Sequence, residues 1–323
     1  MRPRLQLRRV ARARQSGAAV LMALFIATLA TLIVSGLFWN QFVLLRTIEN
    51  QQLVGQTRLL LRGALDWSRA ILREDQRTST YDALTEPWAQ GLEETRLDQL
   101  GETTTLASNA TIAGSIEDAQ SRFNLRNVVG QEGVLYEPDL QALRRLAVLL
   151  QLPEQTADLI AARVLESMGT ATTERPGGMS SSSARPIPLF LPTDIAGIPG
   201  IDGQAAAKLA PYVVVLDERT PVNVNTASAE VIAARIPGLS IADARSLVAE
   251  RERVSYFPNV GSFRNSLRNR GQPGGDDELS VSSRYFLVRG QVRLDRAQTR
   301  MESLVKRSSQ STQAVVVLWQ REL

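Results

Sequence analysis

Residues 18–38 form a run of 21 residues without a single charge, Ala-Ala-Val-Leu-Met-Ala-Leu-Phe-Ile-Ala-Thr-Leu-Ala-Thr-Leu-Ile-Val-Ser-Gly-Leu-Phe. As a helix, such a run spans about 30 Å, the thickness of a bilayer core. A secretory signal has a shorter apolar stretch, with its small-residue site after it. Here the small-residue site, Gln15-Ser16-Gly17, comes first. Six arginines (Arg2, Arg4, Arg8, Arg9, Arg12 and Arg14) and no acid precede the run. Positive charge on that side predicts a cytoplasmic N-terminus and an external body, with Trp39 at the outer interface.

The same arginines account for the basic charge of the chain. Removing them from the 37 basic side chains leaves 31 against 33 acidic ones over residues 18–323, a net of −2. The body therefore lacks the basic footprint of a nucleic-acid binder. The sequence contains neither Cys nor His. That removes thiol chemistry and Ser-His-Asp catalysis, and leaves carboxylate and carbonyl oxygens as metal ligands. No convergent acid–base set is visible, and the expectation is a protein that is not an enzyme.

Arg14-Gln15-Ser16-Gly17 followed directly by the apolar run resembles the leader of prepilins, which a prepilin peptidase cuts after the glycine. The resemblance implies cleavage between Gly17 and Ala18. Most pilin-class proteins have Glu at the fifth mature position, which here is Met22. A carboxylate at that depth is costly unless it meets a cation, and in the family it meets the terminal amine of the subunit above. Its absence is typical of the minor pseudopilin K family of type II secretion systems, which sits at the filament tip.

Between Pro3 and Pro87 there is no proline, so one helix is expected from about Ala18 to about Arg73. Beyond the apolar run, Leu53, Leu60, Leu61, Ala64, Leu65, Trp67 and Ile71 recur at near-helical spacing and predict a half-buried face. Strand-like stretches follow at 106–116 and 117–129. Within the second, Asp118 to Asn127 resembles a strand motif of the same family, with Ser121 where glycine is usual. Phe123 and Leu125 alternate with polar neighbours, as in a half-buried strand.

Leucines at 140, 143, 146, 149 and 150 predict a helix from Pro138, with a second beginning near Pro153. Residues 169–188 have the composition of a flexible loop. Two Ile-Pro-Gly turns follow, at 198–200 and 236–238, each beside short helices. They resemble helix-hairpin-helix modules, and the rival reading is a membrane-anchored DNA receptor. Residues 193–253 carry six basic and eight acidic side chains, however, a net of −2 that does not suit a polyanion. In the pseudopilin K family, helical units of sterile-alpha-motif-like shape occupy this place. The acidic loop Asp276-Asp277-Glu278 offers oxygen ligands of the type Ca²⁺ takes, without the alternating carboxylate spacing of a dedicated site. A solvated loop is the favoured alternative there, and no other cofactor is expected. Strands are expected at 280–294 and, as a final buried strand, at 314–321, joined by a polar hairpin connection over 297–309.

The expected fold is α+β: a pilin-like long N-terminal helix packed on an antiparallel sheet, with a large inserted helical subdomain. The expected division is leader 1–17, membrane and filament-core helix 18–39, amphipathic helix and first strands 40–130, inserted helical subdomain 131–219, second helical unit 220–272 and C-terminal strands 273–323. The resemblance implies a single-pass inner-membrane protein with a periplasmic body. Its partners would be minor pseudopilins I and J, the other pseudopilins of the filament, prepilin peptidase, the secreted exoproteins and the lipid bilayer, with no nucleic acid.

Overall fold

The computed structural model describes residues 16–100, 109–168, 186–268, 270–272, 274–275, 277–308 and 315–323. The leader residues 1–15, the loop expected at 169–188 as far as 185, and Asp276 lie outside the described residues. By contacts the chain divides into residues 1–56 and residues 57–323.

Helix α1 runs from Ser16 to Thr78, five residues beyond the expected end, with no proline to interrupt it. In the first unit its apolar side chains are exposed along the whole run, from Val20, Leu21 and Met22 to Ile48. In the second unit Thr57, Leu61, Leu65 and Leu72 are buried, spaced as one helical face. This corrects the sequence-based face at two points. Trp67, expected inside, is half exposed, while Thr57 is buried because its hydroxyl bonds that of Thr299 at 2.7 Å.

That face lies on a five-stranded antiparallel sheet. The strands are β1 (Leu92–Arg96), β2 (Ala110–Asp118), β7 (Tyr285–Leu294), β8 (Ala297–Arg307) and β9 (Val315–Glu322), in that spatial order. The register places Gly114 of β2 opposite Gly290 of β7. A Cβ on Gly290 would stand 3.0 Å from Leu61, and one on Gly114 2.9 Å from the Arg289 carbonyl, so both positions are held open for close packing.

Two expectations at the C-terminus are overturned. Residues 297–307 are not a hairpin connection but the longest strand of the sheet, β8. It alternates buried and exposed from Ala297 to Met301 and is then buried on both faces from Met301 to Val305, Glu302 and Ser303 included. The last strand, β9, is an edge strand rather than a buried one, with Val316 and Leu318 exposed.

Between β2 and β7 the chain leaves the sheet to build two helical units. The first contains α2 (Glu137–Leu149), α3 (Thr156–Met168) and α4 (Gly203–Leu209). It is closed by a short parallel pair, β3 (Phe123–Asn124) with β4 (Val213–Val214). The expected strand over 117–129 is thus only two residues long in this pair. Phe123 and Leu125 are buried as expected, in the helical core with Val128 and Val129, but Asn124 between them is buried as well, so the segment is not half-exposed. Asn124 and Asn127 turn the chain there by binding the backbone of residues 216–220.

The second unit contains α5 (Ala229–Arg235), α6 (Ile241–Val254) and α7 (Val260–Leu267). It is closed in the same way, by β5 (Val222–Asn223) parallel to β6 (Leu279–Ser280). Its core of Val231, Ile232, Ile236, Leu247, Phe257 and Phe263 is separate from that of the first unit. Helix starts are set by side-chain caps from Asp202, Ser228, Ser240 and Asn259. At the Ile-Pro-Gly turns, Gly200 and Gly238 take φ of +91° and +78°, which a residue with a Cβ rarely adopts.

Candidate functional site

Gly17 and Ala18 lie in the first turn of α1, exposed, and nothing surrounds the Gly17 Cα. Met22 is 65% exposed one turn further on, among other bare apolar side chains. Such a surface is unstable in water, at about 25 cal/mol per Å² of apolar area, and calls for a bilayer or for other helices. Among the described residues, α1 is the helix long and apolar enough to cross a membrane.

Two acids of the acidic loop, Asp277 and Glu278, are among the described residues, and they differ in burial. Asp277 is exposed, whereas Glu278 turns inward, its carboxylate 3.4 Å from Arg235. The reason is electrostatic. Arg235 is 3% exposed, and it needs the carboxylates of Asp139 and Glu278 to remain charged inside. Arg219 completes this cluster, bonding Asp139 at 2.7 Å while its guanidinium lies over the Tyr136 ring. It fastens α2 of the first helical unit to α5 of the second.

A second polar cluster, which sequence reasoning missed, lies where α1, the sheet and the second helical unit meet. Arg307, at the end of β8, donates to Asp75 near the end of α1 at 2.7 Å and to both oxygens of Asp82 at 2.7 and 2.6 Å. Glu86 accepts from the Ala83 amide and from Trp88 Nε1. Oxygens of Asp75, Asp82 and Glu86 all fall within 4.8 Å of one another. The Arg307 guanidinium supplies positive charge to two of these acids, Asp75 and Asp82. Asp118, at the end of β2, accepts from the Gln120 amide, Asn223, Thr226 and Ser283. Asn223 and Ser283 also reach the backbone or carboxylate of Asp82, which joins the two halves of the cluster. Burial raises Asp82 to about 7, against the pull of Arg307 and the Ser283 amide, and the charges of Asp118 and Asp75 push it the same way. Burial likewise raises Asp118, and it raises Asp75 with help from Glu86. Beside the cluster, Tyr81 stacks on Tyr256 with centroids 3.9 Å apart, and its phenol is raised to about 12, chiefly by the neighbouring Tyr256 phenol.

After each Ile-Pro-Gly turn, one helix-start amide that a phosphate could bind is already taken by a side chain, Ala205 by Asp202 and Asp243 by Ser240. The Asp202 carboxylate already caps α4, and Ser240 caps α6 with Asp243 at hydrogen-bond distance. Both sites thus carry negative charge where a DNA backbone would approach.

A helix with a bare apolar first part and a second part packed on an antiparallel sheet, with helical units set between two of its strands, defines a pilin-like α+β protein. Sequence and structure comparisons place it more narrowly. Two models described as Type II secretion system (T2SS), protein K match residues 121–218 and 222–282, the limits of the two helical units. Type II secretion system protein K of Pseudomonas aeruginosa is 28% identical over 309 residues, covering 90% of this chain and 88% of that protein. The protein of the same name from Pectobacterium carotovorum is 25% identical, covering 94% and 96%. A chain of the crystal structure of the GspK-GspI-GspJ complex from enterotoxigenic Escherichia coli has the same fold, with a TM-score of 0.62 at 23% identity over 85% of this chain and 98% of that one. The chain belongs to the type II secretion system protein K family.

Proposed function

We propose that this chain is the minor pseudopilin that caps the pseudopilus tip and primes its assembly, in export of folded proteins across the outer membrane. The observation that carries the tip assignment is Met22, an exposed apolar residue where a stacked pilin needs its buried acid. A subunit with no neighbour above has no terminal amine to neutralise, and an apolar residue costs less there. The helical units between β2 and β7 support the same role, because residues 121–282 add bulk that a repeating filament cannot stack. We place the division into leader 1–17, membrane helix 18–39, first helical unit to residue 219 and second to 272 on the same basis. Prepilin peptidase acts between Gly17 and Ala18, the body lies in the periplasm, and minor pseudopilins I and J are the partners. The GspK-GspI-GspJ complex formed by a chain of this fold supports that last point.

Immunogold labelling of sheared pseudopili tests the tip assignment. Gold at one end of each filament is the expected result, and gold along the filament overturns it. Gly17→Ala is expected to leave the leader attached; a variant with the mature mass would remove the cleavage assignment.

A further inference from the structure

We propose that Asp75, Asp82, Glu86 and Asp118 form a shared proton-binding site whose occupancy latches the second helical unit and the end of α1 to the sheet. Four carboxylates stand against one guanidinium, that of Arg307, and ionising all four would leave a net charge of −3. All five side chains are nearly withdrawn from water: residue exposures are 1% for Asp82, 8% for Glu86 and 3% for Asp118, and side-chain exposures 8% for Asp75 and 7% for Arg307. Like charges this close do not all ionise in a dry site. Arg122, which pairs with Glu117 at 2.8 Å, also acts on Asp118 from further off, and the Tyr81 phenol borders Asp75 and Glu86. The other groups facing the cluster are neutral donors: Ser283 and Thr226 hydroxyls, the Asn223 amide, Trp88 Nε1 and the backbone amides of Ala83, Gln120 and Ser283.

The proton belongs to the cluster rather than to one residue. Asp82 is nonetheless its best single address, since it touches Arg307, Ser283 and, through its backbone carbonyl, Asn223. Its carboxyl, held near 7 in the folded chain against an ordinary value of 3.8, keeps a proton that the unfolded chain has released. The resulting stabilisation is complete below the unfolded value and is lost as pH rises through about 7. The latch tightens in acid and loosens in alkali, the reverse of an ordinary carboxylate ion pair. The sequence makes this readable, because it has no His and no Cys. Between pH 5 and 8 the chain's amino terminus is the sole other group that ordinarily titrates.

The test is urea unfolding of the full-length chain in neutral detergent, followed by tryptophan fluorescence at pH 5, 6, 7 and 8. Trp88, bonded to Glu86, reports from inside the cluster. The folding constant is expected to fall with rising pH, by up to about tenfold per unit where one proton is released. In Asp82→Asn that slope is expected to flatten. A wild-type constant that stays level or rises, or a folded Asp82→Asn protein with an unchanged slope, overturns the proposal. If Asp82→Asn does not fold, infrared spectra of the wild type decide. A carboxylic-acid carbonyl band from the folded chain at pH 6 that vanishes at pH 9 supports the site, and its absence at pH 6 overturns it.

Discussion

The two buried ionic clusters use the same ingredients in different proportions. Between the helical units, Arg219 and Arg235 face Asp139 and Glu278, two charges in direct contact with two, with Arg145 at the edge near Arg235 and Glu278. Where the second unit meets the sheet, Arg307 alone faces Asp75 and Asp82, with Glu86 and Asp118 behind them. A balanced cluster has its desolvation cost offset by mutual attraction, and its members are locked together across the pH range of life. An unbalanced one must take its missing positive charge from solution. The two helical units are therefore joined to each other by a permanent fastening, and to the sheet by one that responds to protons.

The sharpest way to break this comparison is to unbalance the balanced cluster. Arg235→Met leaves Asp139, which has no exposure at all, with Arg219 as its remaining cation and leaves Glu278 with the more distant Arg145. Removing one partner of such a buried pair costs about 3–5 kcal/mol. A large drop in the urea midpoint is expected, together with a new fall of stability as pH rises, because the stranded acids now bind a proton. A loss below 1 kcal/mol would mean that the fastening between the units lies in their apolar contacts instead.

Asp118→Asn addresses the unbalanced side with a smaller effect. Asp118 accepts from four donors, and an amide offers one acceptor oxygen in place of two. The lost hydrogen bonds cost about 1–3 kcal/mol. At pH 8 part of that cost is offset, because one of the four like charges has gone. The variant is thus expected to be closer to wild type at pH 8 than at pH 5, as measured by paired urea curves. Equal losses at both values would show that Asp118 acts as an acceptor only.

These clusters also mark the limit of what the sequence discloses. Helix α1 was legible because an uncharged run and the lack of proline are local signals, as were the Ile-Pro-Gly turns and the leucine spacing of α2. The polar strand β8 was not, since it buries Thr299, Glu302 and Ser303 beside Met301, Leu304 and Val305, and so polar a composition resembles a loop. Asn124, expected on the exposed face of a half-buried strand, is buried because β3 is paired with β4, about 90 residues away, and this pairing has no local signature. Glu278 looked like a free loop acid because Arg235 lies 43 positions earlier. Asp75 and Arg307 are 232 residues apart, and only the closing of the sheet brings them together.

The smallest expected effect comes from an ion pair that neither cluster contains. Arg144 on α2 donates to Asp158 on α3 at 2.9 and 2.7 Å, a geometry as good as that of Arg219 with Asp139. Its side chain is 38% exposed and that of Asp158 52%, so water already solvates both charges and salt screens them. Arg144→Ala is expected to cost about 0–1 kcal/mol. That small cost is expected to vanish in high salt, whereas the effect of Arg235→Met persists there. Urea midpoints of both variants at low and high salt make the distinction. Burial and charge balance, rather than hydrogen-bond length, then set what each cluster contributes, and equal salt sensitivity in the two variants would refute that ordering.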